Sequence, residues 1–336
     1  MNAALQPERR IPAWQSLLTN SFTRPAELLA YLELPDDLPT LKLAQIRDFP
    51  LRVPRGFASR MEKGNPEDPL FRQIWPSPDE EVMSLEFSDD AVGDLKQLKP
   101  GGLIHKYQGR ALVIATGACA VNCRYCFRRH FPYGETRASR NHWRVLLDEL
   151  RADESIEEVI LSGGDPLSLG DDKLAELAQG LDEIPHLKRL RLHTRQPVVL
   201  PERIDDDFLE WFTSTRLQPV MVLHVNHARE LDSEVAAAMA RLKQAGIPLL
   251  NQAVLLYGIN DSVDALKSLS TRLFECGILP YYLHQLDRVQ GAAHYEVDEA
   301  VGMALIRQLS AELPGYLVPR LVREVAGQPS KTWIHW

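Results

Sequence analysis

Three of the chain's four cysteines, Cys119, Cys123 and Cys126, fall within eight positions of the stretch CAVNCRYCFRR, at the spacing C-x3-C-x2-C. Thiolates are soft-metal ligands, and four of them close a structural zinc site or saturate a four-iron, four-sulfur cluster. Three leave one iron of such a cluster open to an outside ligand, so the spacing points to a cluster that does chemistry at that iron. The competing chemistry is a zinc knuckle completed by a histidine such as His130. Cys276 lies far off in a helix-patterned stretch and reads as a buried thiol with no metal role.

Positioning such a loop requires a frame, and the sequence supplies a regular one. Short apolar, β-branched runs at 111–116, 157–162, 187–194, 219–225, 248–257 and 279–287, with a last one at 317–325, alternate with amphipathic stretches of helical period. Strand and helix alternating in this way imply parallel strands with helical crossovers, as a doubly wound sheet or as a full or partial (β/α) barrel. Residues 1–100 differ: they are proline-rich, with helix-like pieces such as RPAELLAYLEL and LPTLKLAQIRDF, and read as a mostly helical lead-in. The expected organisation is that lead-in, a core over 101–316 and a C-terminal segment over 317–336.

The polar motifs gather at one end of this frame. The cysteines follow the first strand, SGGDP (162–166) ends the second, HTRQP (193–197) the third, HVNH (224–227) the fourth, and HQLD (284–287) the sixth, with Asn251 and Gln252 in the fifth. Carboxyl ends of parallel strands are where barrels and open α/β sheets keep their active sites. Ser162, Gly163, Gly164 and Asp165 suit a backbone passing close to a ligand, since glycine leaves that space and accepts positive φ.

Composition limits the partners. Against 38 Lys+Arg stand 46 Asp+Glu, a net charge of -8, which argues against nucleic acid as the main partner. The N-terminus lacks the apolar core of a signal peptide and no run is long enough to span a bilayer, so a cytoplasmic protein with a small-molecule site or a protein partner is expected. Clustered cysteines in a reducing compartment favour metal binding over disulfides.

The cysteine spacing, with Tyr125 before the last cysteine, resembles the radical S-adenosylmethionine (SAM) enzymes. The stretches GLIHKYQGRALVIATGACAVNCRYCFRRHF, LSGGDPL, LNQAVLLYGIND, YYLHQLD and PSKTW together resemble the lysine 2,3-aminomutase family, and within it the short branch that supplies β-lysine for elongation factor P. The resemblance implies a partial (β/α)6-type radical SAM barrel, a [4Fe-4S] cluster on Cys119, Cys123 and Cys126, bound SAM, and pyridoxal 5′-phosphate (PLP). It implies that Lys331 carries the PLP, that Arg110, assisted by Lys106, meets its phosphate, and that His224 and Gln252 lie near SAM or PLP. It implies that Arg128 grips the α-carboxylate of L-lysine, with Arg129 a surface neighbour, and that Asp287 and Glu324 receive its ε-ammonium. A lysyl ligase acting on elongation factor P and a reductant such as flavodoxin or ferredoxin are the implied partners.

Three departures from the family pattern stand out. Glu324 occupies a position, seven residues before Lys331, where aspartate is expected, so product handedness is open. The sequence ends at Trp336, five residues beyond Lys331, without the zinc-binding segment of the long branch, so no structural zinc is expected. REVAGQPS is less glycine-rich than the usual loop. The other readings are a stand-alone aminomutase making β-lysine or another β-amino acid, and a non-catalytic iron-sulfur or zinc binding module.

Overall fold

The computed structural model describes residues 12–42, 49–135 and 140–335. Among them, ten strands form one sheet in sequence order. β1 (Leu98–Lys99), β2 (Leu103–Tyr107) and β3 (Arg110–Thr116) pair antiparallel. From β3 the sheet is parallel through β4 (Glu158–Gly163), β5 (Arg189–Thr194), β6 (Gln218–Leu223), β7 (Leu249–Val254), β8 (Leu279–His284) and β9 (Arg320–Arg323). β10 (Thr332–Trp333) turns back antiparallel on β9.

Helices carry the chain over from each parallel strand to the next, among them Arg140–Ala152, Asp171–Asp182, Ser233–Gln244, Val263–Glu275 and Glu299–Glu312. The result is the partial (β/α)6 barrel plus one further parallel strand; β1 and β10 remain as edges, so the sheet does not close among the described residues. The three antiparallel additions are a structural finding that strand spacing did not signal. At two residues each, β1 and β10 are too short to show a period, and β2 buries Leu103 and Ile104 side by side without alternating.

Local chemistry explains the elements. In Asp171–Asp182 the buried Leu174, Leu177, Ala178 and Leu181 recur at helical spacing, and the helix lies on the main core. Asp232, Ser262 and Asp205 cap their helices by accepting backbone N–H groups of Val235, Ala265 and Phe208. β5 alternates: Leu190 and Leu192 are buried in the main core, while Arg189, Arg191 and His193 line the interior cavity. β6, β7 and β8 end two to three residues before the apolar runs that announce them do, and His224, Leu286 and Asp287, beyond those strand ends, line that cavity.

Residues before β1 form short helices, including Ala13–Thr19, Pro25–Leu32, Arg55–Ala58 and Pro69–Arg72. The helix expected over 38–49 falls largely on 43–48, outside the described residues. Trp14, Phe22, Leu28, Phe57 and Phe71 form a second core that also takes in Ala120 and Val121 of the cysteine loop. The lead-in thereby buries the back of that loop.

Candidate active site

The loop after β3 is held from behind. Arg124, fully buried, clasps both oxygens of Glu80 at 2.7 and 2.6 Å and donates to Phe49 O, while its own N–H reaches Gln73 O. Arg129 is a buried brace on the same Glu80 and on Gly291 O, where a surface position was expected. Pinned in this way, Cys119, Cys123 and Cys126 all face a cavity of about 1090 Å³. His130 does not join them; its Nε2 lies 3.1 Å from Gln290 O. Cys276 is in the main core.

SGGDP acts on this loop directly. Gly164 N–H and Asp165 N–H donate to Thr116 O and Ala118 O at 2.7 and 2.8 Å. A Cβ on Gly163, whose φ is +113°, would stand 2.6 Å from Thr116 O, and one on Gly164 2.5 Å from Ala118 O. The space those glycines leave is therefore first needed by the cysteine loop itself. The buried Asp165 carboxylate accepts from Thr194 Oγ1 and from the backbone N–H groups of Leu167, Arg195 and Gln196. Its role in this arrangement is to lock the ends of β4 and β5 together.

Behind Cys123 lies a polar cluster that joins Tyr125 to members of HTRQP and HVNH, a meeting the motifs did not announce. Arg195 Nη1 donates to Cys123 Sγ and Tyr125 Oη, both at 2.7 Å, and Nη2 to Gln73 Oε1 and Glu230 Oε2 at 2.7 and 2.9 Å. Asn226 adds a donor to Tyr125 Oη at 2.7 Å.

The other charged wall lies where the sheet stays open. Lys331 Nζ, in the turn between β9 and β10, reaches Glu324 Oε2 at 2.8 Å, and Lys106 Nζ of β2 reaches Glu324 Oε1 at 3.0 Å. Lys106 also bonds Asp94 and Val92 O, and Asp94 takes Arg128 Nε at 2.7 Å, while Arg128 Nη1 donates to Ser162 Oγ at 3.2 Å. A chain of alternating charge thus runs from Lys331 to Arg128 and ties together two parts of the sheet that share no ladder. With its three donors taken, Lys106 braces Glu324 and Asp94; Arg110, stacked on the Tyr107 ring at 4.7 Å, has no carboxylate partner among the described residues.

Electrostatics separate the two carboxylates. Burial alone would raise Glu324, but Lys331 and Lys106 hold it well below the usual carboxylate range. Asp287, buried with Glu324 adding repulsion, is pushed up to about 7, and its Oδ1 has no hydrogen-bond partner. His224 is driven down to about 4 by burial, with Arg195, Lys331 and Arg128 adding to it. His193 and His284 are lowered by burial as well, and the Nε2 of each is unpartnered. Burial pushes Cys126 up to about 11 and raises Cys119, so these thiols ionise only against a positive ligand.

Each residue the sequence nominated lines this one cavity: the three cysteines, Ser162 to Asp165, His224 and Gln252, Arg110 and Lys106, and Arg128, Asp287, Glu324 and Lys331. It passed over Asp94, which sits in an irregular stretch with no pattern to mark it, and it gave His193 and Arg195 only a place in HTRQP, with no role of their own. Among the described residues no three His, Cys, Asp or Glu side chains converge as ligands of a single metal ion.

The Radical SAM superfamily pattern matches residues 113–211. The chain is 49% identical over 319 residues to the L-lysine 2,3-aminomutase of Haemophilus influenzae, spanning 95% of this chain and 94% of that protein. It is 47% identical over 320 residues to the Escherichia coli L-lysine 2,3-aminomutase (95% and 93%) and 42% identical over 323 residues to that of Buchnera aphidicola (96% and 95%).

Proposed function

Because the chain belongs to the L-lysine 2,3-aminomutase family of radical SAM enzymes, we propose that it is the isomerase that turns L-α-lysine into β-lysine. The observation that carries this reading is the single cavity of about 1090 Å³ onto which the three cysteines, Lys331 and the carboxylates Asp287 and Glu324 all open. Among the described residues, no helix is long and apolar enough to cross a membrane.

The residues fit the family's cofactors. Three thiols on one braced loop, all opening on the cavity, suit a [4Fe-4S] cluster that keeps one iron for SAM. Arg110, without a carboxylate of its own, suits the PLP phosphate, and Lys331 is the amine for its covalent attachment. His224, Gln252 and the Ser162–Asp165 turn line the wall available to SAM. When bound, the cluster with SAM supplies a carbon-centred radical, and PLP a π system over which an unpaired electron spreads.

The chain's own residues orient the substrate. Arg128 is pinned through Nε to Asp94 and gives one Nη1 hydrogen to Ser162 Oγ, so Nη2 and the second Nη1 hydrogen are left for the α-carboxylate of lysine. Asp287 and Glu324 receive the ε-ammonium at the far end, which fixes the α and β carbons between two anchors. Burial keeps His193, His224 and His284 neutral, so they add no positive charge against that ammonium. Glu324 reaches about one methylene further than aspartate, and the handedness of the product follows from how the ammonium is met there.

The proposed use of β-lysine is its transfer by a ligase to elongation factor P in the cytoplasm, with a flavodoxin or ferredoxin as electron donor; several motifs matching the short branch in order support it. The test is an anaerobic assay with reconstituted cluster, PLP, SAM, reductant and L-lysine, read by chiral chromatography. β-Lysine that disappears in Cys123→Ala supports the reading. 5′-Deoxyadenosine without β-lysine points to another amino acid, and neither product with an intact cluster points to a binding module. Adding the ligase and elongation factor P, and weighing the factor by mass spectrometry, tests the destination.

A further inference from the structure

Arg195 does something that holding a loop does not require. Its backbone N–H is fixed on Asp165, and its side chain crosses from the end of β5 to the cysteine loop, where it is 6% exposed beside a fully buried Glu230. A neutral donor would suffice to fasten Cys123; burying a guanidinium carries a desolvation cost that Glu230 offsets. Yet Glu230 is shared: its Oε1 accepts from Gln73 Nε2 and from the backbone N–H groups of Asn226 and His227. The guanidinium gives one Nη1 donor to sulfur, at 2.7 Å, and that N–H is the charged contact on Cys123.

Hydrogen bonds to ligand sulfurs and nearby net charge set the potential of an iron-sulfur cluster, because a donor that carries positive charge favours the form with the extra electron. We propose that Arg195 is a positioning residue that holds Cys123 and, through its charged hydrogen bond to Sγ, raises the potential at which the cluster accepts its electron. The inference rests on the cluster reading of the three cysteines. Iron and sulfide content of the unaltered protein tests that premise separately, and if no cluster is held there, the premise fails and the inference with it.

The experiment is an EPR-monitored redox titration of the reconstituted protein, without SAM or lysine, for the unaltered chain, Arg195→Lys, Arg195→Gln and Glu230→Gln. The expected result is equal iron content with a midpoint lowered slightly in Arg195→Lys and more in Arg195→Gln. In the glutamine variant the reduced-to-oxidised ratio at a fixed potential should fall about tenfold, which for one electron is about 59 mV. Glu230→Gln, which leaves the guanidinium uncompensated, should move the midpoint up. Coincident midpoints at equal iron content overturn the proposal. Folded Arg195 variants that hold no cluster overturn it too, since Arg195 is then an anchor alone. If neither Arg195 variant folds, Glu230→Gln decides: an upward shift supports the proposal and an unmoved midpoint overturns it.

Discussion

Arg195, behind Cys123, spends four donor contacts on side chains of the protein, in a cluster closed by Asn226, Gln73 and Glu230. Lys331, at the seam between β9 and β2, has Glu324 for its partner, and near it Asp287 Oδ1 and His284 Nε2 are buried without any. One wall is paired before a ligand arrives in all but the buried Nε of Arg195; the other is a chain of charges whose partners can be exchanged for those of a ligand. The difference teaches where each kind of precision is stored. A cluster ligand must be held in one place, so its surroundings are packed and tied by several hydrogen bonds at once. A site that must admit a charged substrate keeps its own ions in provisional pairs, which lowers the cost of their dehydration until the substrate replaces one member.

The sharpest way to break that comparison is to remove the central cation of the exchangeable wall. Lys331→Ala should keep the fold and the cluster, lose the absorbance that PLP gains on covalent attachment, and lower turnover by more than about a thousandfold. Full retention of absorbance and turnover would return Lys331 to the role of a surface ion pair. Arg128→Lys comes next. The charge remains but the fork does not, so KM for L-lysine should rise about 10-fold to 100-fold, the worth of one charge-assisted hydrogen bond, with a smaller change in kcat. An unchanged KM would mean that Arg128 serves Asp94 alone.

Much of this frame was legible. Strand and helix periods placed all the parallel strands and the crossovers between them, because each strand buries a face under helices, as Leu190 and Leu192 do. Motifs at strand ends brought distant residues to one cavity for the same reason. What the sequence hid was whatever depends on contact between segments without period. Asp94 gives no sign that it bridges Arg128 and Lys106. Arg195 looks like part of a strand-end motif until its side chain is seen on Cys123. The glycines of SGGDP line the cavity, but the side on which a Cβ would stand is already taken by Thr116 O and Ala118 O, which the motif alone did not show. The two-residue β1 and β10 fall below the length at which alternation speaks, and β2 does not alternate.

The smallest effect is the most diagnostic of an exchangeable wall, and it concerns Asp287. Burial, with Glu324 beside it, lifts its carboxyl to about 7, while lysine's ε-ammonium stays charged well above that. Below pH 7 the group is neutral and offers the ammonium little; above it the carboxylate attracts it. KM for L-lysine should therefore fall about tenfold between pH 6 and pH 8, and Asp287→Asn should flatten that dependence at the weaker value. Stability runs the opposite way. The folded-state value lies above the unfolded one, so the folded protein binds the proton more tightly and loses stability as pH rises from about 4 through about 7, by at most about 4 kcal/mol. Asp287→Asn removes that loss: its Tm should match the unaltered protein near pH 4 and exceed it by a few degrees at pH 8. Parallel Tm curves and an unaltered KM profile would show that the carboxylate is ionised and already satisfied, and that this wall is as finished as the one behind Cys123.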